Sequence, residues 1–152
     1  MLRYCADSEI RLTPDKAKAG YSRGEVCIGA FDGEELAGYA WWTTAPAPHS
    51  DGIWMRFDSR AVYIYRAFVR PEYRGRGIAS ALYCFADSIF LERERTMALM
   101  CIALENQASL RAALRSGAQP AGYCAYLCRG ALFLQARSPG AKRAGYAFYL
   151  PS

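Results

Sequence analysis

Apolar and polar positions along the 152-residue chain switch between two periods, about two and about three and a half. Positions 1–24 are mixed. There, Thr13-Pro14-Asp15 before Lys16-Ala17-Lys18-Ala19 is a helix-start signal, with Gly20 as its stop. Glu25 to Phe31 and Leu36 to Thr43 read as two strands turning at Asp32-Gly33, with the loop extending to Glu35. Thr44 to Gly52, which holds Pro46 and Pro48, reads as a loop, and Ile53 to Phe57 as a short strand. Asp58-Ser59-Arg60 is a turn. Ala61 to Val69, rich in β-branched and aromatic residues, predicts a central strand that Pro71 ends. A helix is predicted from about Ile78 to Glu94, with Ile78, Leu82, Phe85 and Ile89 marking one buried face. Thr96 to Leu104 is a nearly unbroken apolar run, the pattern of a strand covered on both faces. A second helix follows Asn106 and ends at Gly117. Gly122 to Gln135 and Arg143 to Leu150 read as two strands joined by Ser138-Pro139-Gly140.

The order is therefore helix, hairpin, strand, helix, strand, helix, hairpin. The strand–helix–strand part needs a crossover and parallel pairing, and the hairpins need antiparallel pairing. A mixed sheet with helices on its faces satisfies both. No repeat, linker or low-complexity tract divides the chain, so residues 1–152 read as one domain, with 1–24 an unusually short N-terminal part.

Composition changes this picture little. Hydrophobic residues are 53% and charged residues 22%, which excludes a disordered chain. No apolar run reaches the roughly 18 residues of a membrane span, and the N-terminus lacks the apolar core of a signal peptide; the expected location is the cytoplasm, with no membrane partner. A net charge of +5 favours anionic partners. Nucleic acid ranks last among these, because the arginines cluster at one loop and no nucleic-acid motif is visible. Six cysteines without CxxC spacing and a single histidine, His49, argue against zinc and for reduced thiols packed as small apolar groups. No metal is expected.

Chemistry concentrates in Val69-Arg70-Pro71-Glu72-Tyr73-Arg74-Gly75-Arg76-Gly77-Ile78-Ala79. A strand ends, a Gly/Arg loop follows, and a helix begins. The first amides of a helix lack intrahelical partners and its dipole makes that end positive, so the pattern suits an oxyanion such as pyrophosphate. Glycines at 75 and 77 bring backbone close to that anion, and Arg70, Arg74 and Arg76 add charge. The bland alternative is a tight turn with solvated arginines. The Walker loop is excluded by its missing Gly-Lys-Ser/Thr, and the dinucleotide fingerprint by Ser80 at the third glycine position.

Arg74-Gly75-Arg76-Gly77-Ile78-Ala79 resembles the R/Q-x-x-G-x-G/A signature of the GNAT acyltransferase superfamily. Val69 to Tyr73 resembles the strand end before that signature, and Asn106 to Gly117 the family's second motif, an Asn-started helix ending in Gly. The resemblance is strong over about 61–118 and weaker over about 25–60 and 119–150. It implies an α+β fold of the three-layer, α/β type: a mixed, mostly antiparallel sheet of about six or seven strands, a central parallel pair, and helices on both faces. It implies acetyl-CoA as cosubstrate. Amides from Arg74 to Ala79 (Arg74, Gly75, Arg76, Gly77, Ile78, Ala79) would hold the pyrophosphate. Backbone of Phe68 and Val69 would pair with the pantetheine arm and polarise the thioester carbonyl. Asn106, with Ser109 in the next turn, would hydrogen-bond that arm; otherwise Asn106 is a plain helix cap.

Two departures stand out. Relatives often carry a Tyr seven residues after this Asn as proton donor to the leaving thiolate, and here Ala113 stands there. The strand site where some relatives carry a Glu base falls at about Tyr63, and Tyr65 shares its face. A phenol is a poor base at its ordinary pKa near 10, so both tyrosines also read as cleft walls. Glu105, at the end of the parallel strand, is a further candidate base or a helix-start charge. His49 and Asp58 lie in loops placed to border the cleft. Trp41-Trp42 and Trp54 read either as packed strand residues or as walls of an apolar pocket.

The expected function is acyl-CoA-dependent N-acyl transfer, acetyl first, to the primary amine of a small molecule or peptide by direct attack. The alternatives are a catalytically impaired acyl-CoA-binding module, or an acyltransferase using a longer acyl-CoA or an acyl carrier protein. A homodimer through the apolar stretch Tyr146 to Leu150 stays open.

Overall fold

The computed structural model describes residues 1–50, 52–90, 95–130 and 132–151. Four strands form the main sheet, in the order β1-β2-β5-β6: β1 (Val26–Asp32), β2 (Glu35–Thr43), β5 (Ala61–Val69) and β6 (Met97–Met100). The first three pair antiparallel, and β5 pairs parallel with β6. Helix α1 (Pro14–Ser22) precedes β1, α2 (Ile78–Phe90) crosses from β5 to β6, and α3 (Gln107–Arg115) follows β6. A second sheet, in the order β3-β4-β9, joins β3 (Ala47–Ser50), β4 (Ile53–Arg56) and β9 (Ala147–Tyr149). Strands β7 (Cys124–Arg129) and β8 (Leu132–Arg137) form a separate antiparallel hairpin, and a short helix α4 (Pro139–Arg143) leads to β9. The class is mixed α+β as expected. The hydrogen-bonded ladders, however, divide the described strands among three sheets instead of one continuous sheet of six or seven.

Strand alternation divides the core in two. Tyr39 and Trp41 of β2 join Ala61, Tyr63 and Tyr65 of β5 on the face shared with Ile10, Ala17 and Phe148. Ala40 and Trp42 join Val62 and Ile64 on the other face, under Leu82, Tyr83 and Ala86 of α2 and Ala112 of α3. Trp41 and Trp42 thus lie on opposite faces, both completely buried, and serve packing and not a pocket wall. Helices cover both faces, α1 on one and α2 with α3 on the other.

Several boundaries differ from the sequence expectation. Helix α1 runs through Gly20, which is buried; a Cβ there would lie 2.6 Å from the Trp41 indole and 2.7 Å from Glu25 Oε2. Gly20 is therefore a close-approach position and not a helix stop. The β1–β2 loop is only Gly33-Glu34, since Asp32 pairs with Glu35. The expected loop over 44–52 contains β3, where Pro48 is tolerated because β3 is the edge of its sheet. On α2, Phe85 and Ile89 are exposed; small Ala86 and Tyr83 face the sheet in their place. The buried face is therefore Leu82, Tyr83 and Ala86. Residues 91–94 of the expected helix lie outside the described residues. The strand expected over 96–104 shortens to β6. The strand expected over 122–135 is part of a hairpin turning at Gly130, and Ser138 caps α4 by accepting from the Ala141 amide at 3.3 Å.

Helix α3 matches its expected bounds for clear reasons. Asn106 Oδ1 accepts from the Ser109 amide at 3.1 Å, the N-cap bond. At the other end Gly117, at φ +92°, lets the Ala118 amide reach Ala113 O and its own amide reach Leu114 O, the paired bonds of a Schellman end.

Candidate donor and acceptor cavities

Two features of β5 build the site. Its register against β2 shifts between Tyr39↔Phe68 and Trp41↔Tyr65, so Ala40 alone stands opposite Arg66 and Ala67. This is a β-bulge, with Arg66 in the left-handed region at φ +49°. Strand β6 pairs with β5 only as far as Ile64↔Met100. Beyond it, residues 65–69 of β5 have no strand partner on that side among the described residues, which opens a slot between β5 and the helices.

A cavity of ≈ 500 Å³ fills this slot. Ala67, Phe68 and Val69 form one wall, the loop Arg74-Gly75 with Gly77-Ile78-Ala79 forms the head, and Asn106, Ser109, Arg111 and Arg115 of the α3 side form the other wall. Gly75 (φ +78°) and Gly77 (φ +79°) hold the loop in a left-handed conformation, and added Cβ atoms there would meet no other group. Backbone sign, not crowding, thus requires glycine. Gly77 O accepts the first helical bond of α2, from Ala81. Lacking a side chain, Gly77 cannot cap α2, and the amides of Ile78, Ala79 and Ser80 have no intrahelical acceptor. Such an uncapped, positive helix start beside arginines is built for a phosphate-bearing ligand.

The structure thus brings together Phe68, Val69, Arg74, Gly75, Gly77, Ile78, Ala79, Asn106 and Ser109 in one cavity. Arg76 lies outside its lining, with its guanidinium over the Tyr73 ring at 5.1 Å. Arg70 is occupied elsewhere: Nε donates to Leu36 O at 2.8 Å, and the terminal nitrogens pair with Asp7 and, at 3.1 Å, with Glu9. Its charge fastens the N-terminal segment to the end of β5 and does not add to the loop. Arg11, Arg111 and Arg115 supply cationic walls that the sequence analysis missed. Arg111 and Arg115 stand four apart, a helical spacing that was present in the sequence. Arg11 carried no such signal. Ala113 is buried and offers no hydroxyl; Ser80 Oγ donates to Ala112 O at 2.9 Å and ties α2 to α3.

A second cavity, of ≈ 530 Å³, opens on the other side of the bulge, lined by Lys16, Pro48, His49, Ser50, Gly52, Tyr63, Tyr65, Arg66 and Cys101. Arg66 lines this cavity and the next residue, Ala67, lines the first, so the two abut at the bulge. Tyr63 and Tyr65 stack at 5.7 Å. His49 Nδ1 is 3.1 Å from the Tyr63 hydroxyl, and its ring packs 4.5 Å from that of Phe148. Burial lowers the His49 pKa below its ordinary 6.5 and keeps the imidazole neutral. Burial raises the phenol pKa values of Tyr63 and Tyr65, so both stay protonated. Tyr65 donates to Glu25, a buried carboxylate also paired with Arg23 at 2.7 Å; this triad had no local sequence signal because Arg23 and Glu25 lie between α1 and β1 while Tyr65 lies in β5.

Glu105 sits in the exposed turn before α3, next to Asn106, and lines neither cavity. Asp58 accepts from Arg60, from its amide at 2.9 Å and its Nε at 3.0 Å, and shapes the turn before β5. Trp54 lines neither cavity. The six cysteines are free, and among the described residues no cluster of three or more metal-binding side chains occurs. No described helix is long and apolar enough to cross a membrane.

The model of the Acetyltransferase (GNAT) family matches residues 4–118, and the chain belongs to that family. The matched span holds the bulged strand, the signature loop and the capped α3. Among solved structures, the chain is similar to a ribosomal-protein-alanine N-acetyltransferase from Brucella melitensis biovar Abortus 2308, at 21% identity and TM-score 0.59, covering 84% of this chain and 94% of that one. It is also similar to a transcriptional regulator from Bacillus halodurans C-125, at 23% identity and TM-score 0.56, covering 78% and 84%. An integron cassette protein of V. cholerae matches at 18% identity and TM-score 0.54 over 93% and 89%. These likenesses show the shared fold. No curated protein matches the chain significantly.

Proposed function

We propose that this acetyltransferase-family chain transfers an acyl group, acetyl first, from an acyl-coenzyme A to the primary amine of a small molecule or peptide. The observation that carries the reading is the first cavity, where an uncapped helix start, two left-handed glycines and an unpaired strand edge meet. Those residues fit coenzyme A. The amides from Arg74 to Ala79 would hold the pyrophosphate, with Arg11, Arg111 and Arg115 as cationic walls. The β5 backbone at Phe68 and Val69, where the Val69 carbonyl accepts from Arg74 Nε at 3.1 Å, would hydrogen-bond the pantetheine arm. Asn106 spends its oxygen on the Ser109 cap, which leaves its amide NH₂ to donate to the same arm. Coenzyme A supplies the acyl group as a thioester.

The chain's own groups would do the rest. Backbone amides at the bulge would stabilise the negative charge that develops on the acyl oxygen. His49 is the proton acceptor for the amine: in the tautomer that donates Nδ1–H to the Tyr63 oxygen, Nε2 carries a free lone pair. Tyr63 orients that ring and Tyr65 shapes the pocket. Glu105 lines neither cavity and is given no role here. No metal enters this scheme.

Calorimetric titration with acetyl-CoA tests the donor site. The parent is expected to bind saturably, and a folded Arg74→Glu/Gly77→Asp double variant is expected not to. No binding by the parent to acetyl-CoA, longer acyl-CoAs or acyl carrier proteins would remove the proposal. Ala113 favours one second reading, a donor-binding module without transfer. Saturable binding with no turnover on an amine panel would select it.

A further inference from the structure

The acceptor cavity carries a charge that acyl transfer to a plain amine does not explain. Among the described residues its ionised walls are Lys16 and Arg66, and no described carboxylate lines it. Neither cation has a carboxylate within ion-pair distance among the described residues, whereas neighbouring Arg23 is neutralised by Glu25. Arg66 is held by the bulge in a left-handed backbone that an arginine rarely adopts, and its guanidinium stands 5.5 Å over the Tyr65 ring. Among the described residues, the fold thus places a guanidinium with no carboxylate partner one residue from the donor cavity. A free ammonium entering alone meets two like charges, and a diamine meets them with more charge still.

We propose that the acceptor is a small amine bearing a carboxylate within a few bonds, an amino-acid-type molecule, whose carboxylate is bound by Arg66 with Lys16 at the mouth. The planar guanidinium suits bidentate binding of a carboxylate. The anion cancels the wall charge and aims the amine at His49 and the bulge. This deepens the acyl-transfer reading and rests on it for its catalytic meaning, but the carboxylate site itself is testable without turnover.

The test is an NMR titration of the ligand-free protein with matched pairs, each a free amino acid and its amide, so that only the anion differs. Acidic dipeptides form a separate arm. The carboxylate members are expected to shift resonances of Lys16, His49, Tyr65 and Arg66 saturably, about 10-fold or more tighter than their amides. Arg66→Gln and Arg66→Gly are expected to erase that difference, the second also relieving the left-handed backbone. Lys16→Gln, at an exposed helix position, is expected to reduce it even if the Arg66 variants fail to fold. Equal binding of acid and amide, binding of dipeptides alone, or no shift with any member would overturn the proposal. Failure of acetyl-CoA to bind, with carboxylate selectivity intact, would instead fault only the acyl-transfer reading.

Discussion

At the scale of single residues, a side chain's neighbours decide its chemistry. His49 is the example. Its lowered pKa means that the neutral, proton-accepting form dominates at and above its ordinary value and is lost only as pH falls further. The acid limb of kcat/KM is therefore expected below pH 6.5. His49→Gln is expected to lower kcat by about 10²–10⁴-fold and to abolish that limb, read from pH–rate profiles. Gly20 shows the structural counterpart. Gly20→Val would push a branched side chain into the buried Trp41 indole and is expected to cost about 1–3 kcal/mol by chemical denaturation. Sequence alone read Gly20 as a helix end, because glycine marks helix ends more often than close approaches. Glu105, from its sequence position a candidate base or a helix-start charge, lies in the exposed turn beside Asn106 and lines neither cavity.

At the scale of elements, the parts set by local signals were legible. Thr13-Pro14 starts α1, Asn106 and Gly117 bound α3, and the glycine loop starts α2, since each of these is a contact within a few residues. The bulge in β5 was not legible, because it exists only in the pairing of β5 with β2. Nor was the buried face of α2, which depends on how closely its alanines let it approach the sheet. Asn106 links an element's end to the site. Asn106→Ala loses the cap and is expected to cost about 1 kcal/mol, a fall of ~2–4 °C in Tm. Asn106→Ser keeps the cap acceptor and is expected to hold Tm while weakening acetyl-CoA binding, because serine lacks the amide donor. Thermal melts beside calorimetry separate the two roles.

Over the whole molecule, Arg70 adds an ion-pair anchor to an N-terminal segment already held by buried Ile10 and Leu12. Asp7 has a lowered pKa from the Glu9 amide and the Arg70 guanidinium. Its contribution to stability is present above its ordinary pKa and is lost as pH falls through the lower, folded value. Asp7→Asn is expected to flatten the stability profile below about pH 4, followed by urea unfolding across that range. An ion pair between positions 7 and 70 has no local trace in the sequence, and the loop arginines there looked alike. The second sheet spans a greater separation, since Trp54 pairs with Tyr149 and the Phe148 ring packs on His49. That pairing puts a clock into assembly. Every donor-cavity residue lies between Arg11 and Arg115, while the ring that backs His49 arrives with β9. At ~5–20 residues per second, synthesis from Arg115 to Tyr149 takes roughly 2–7 s. A nascent chain thus completes the sequence of the first cavity seconds before it completes the wall behind His49.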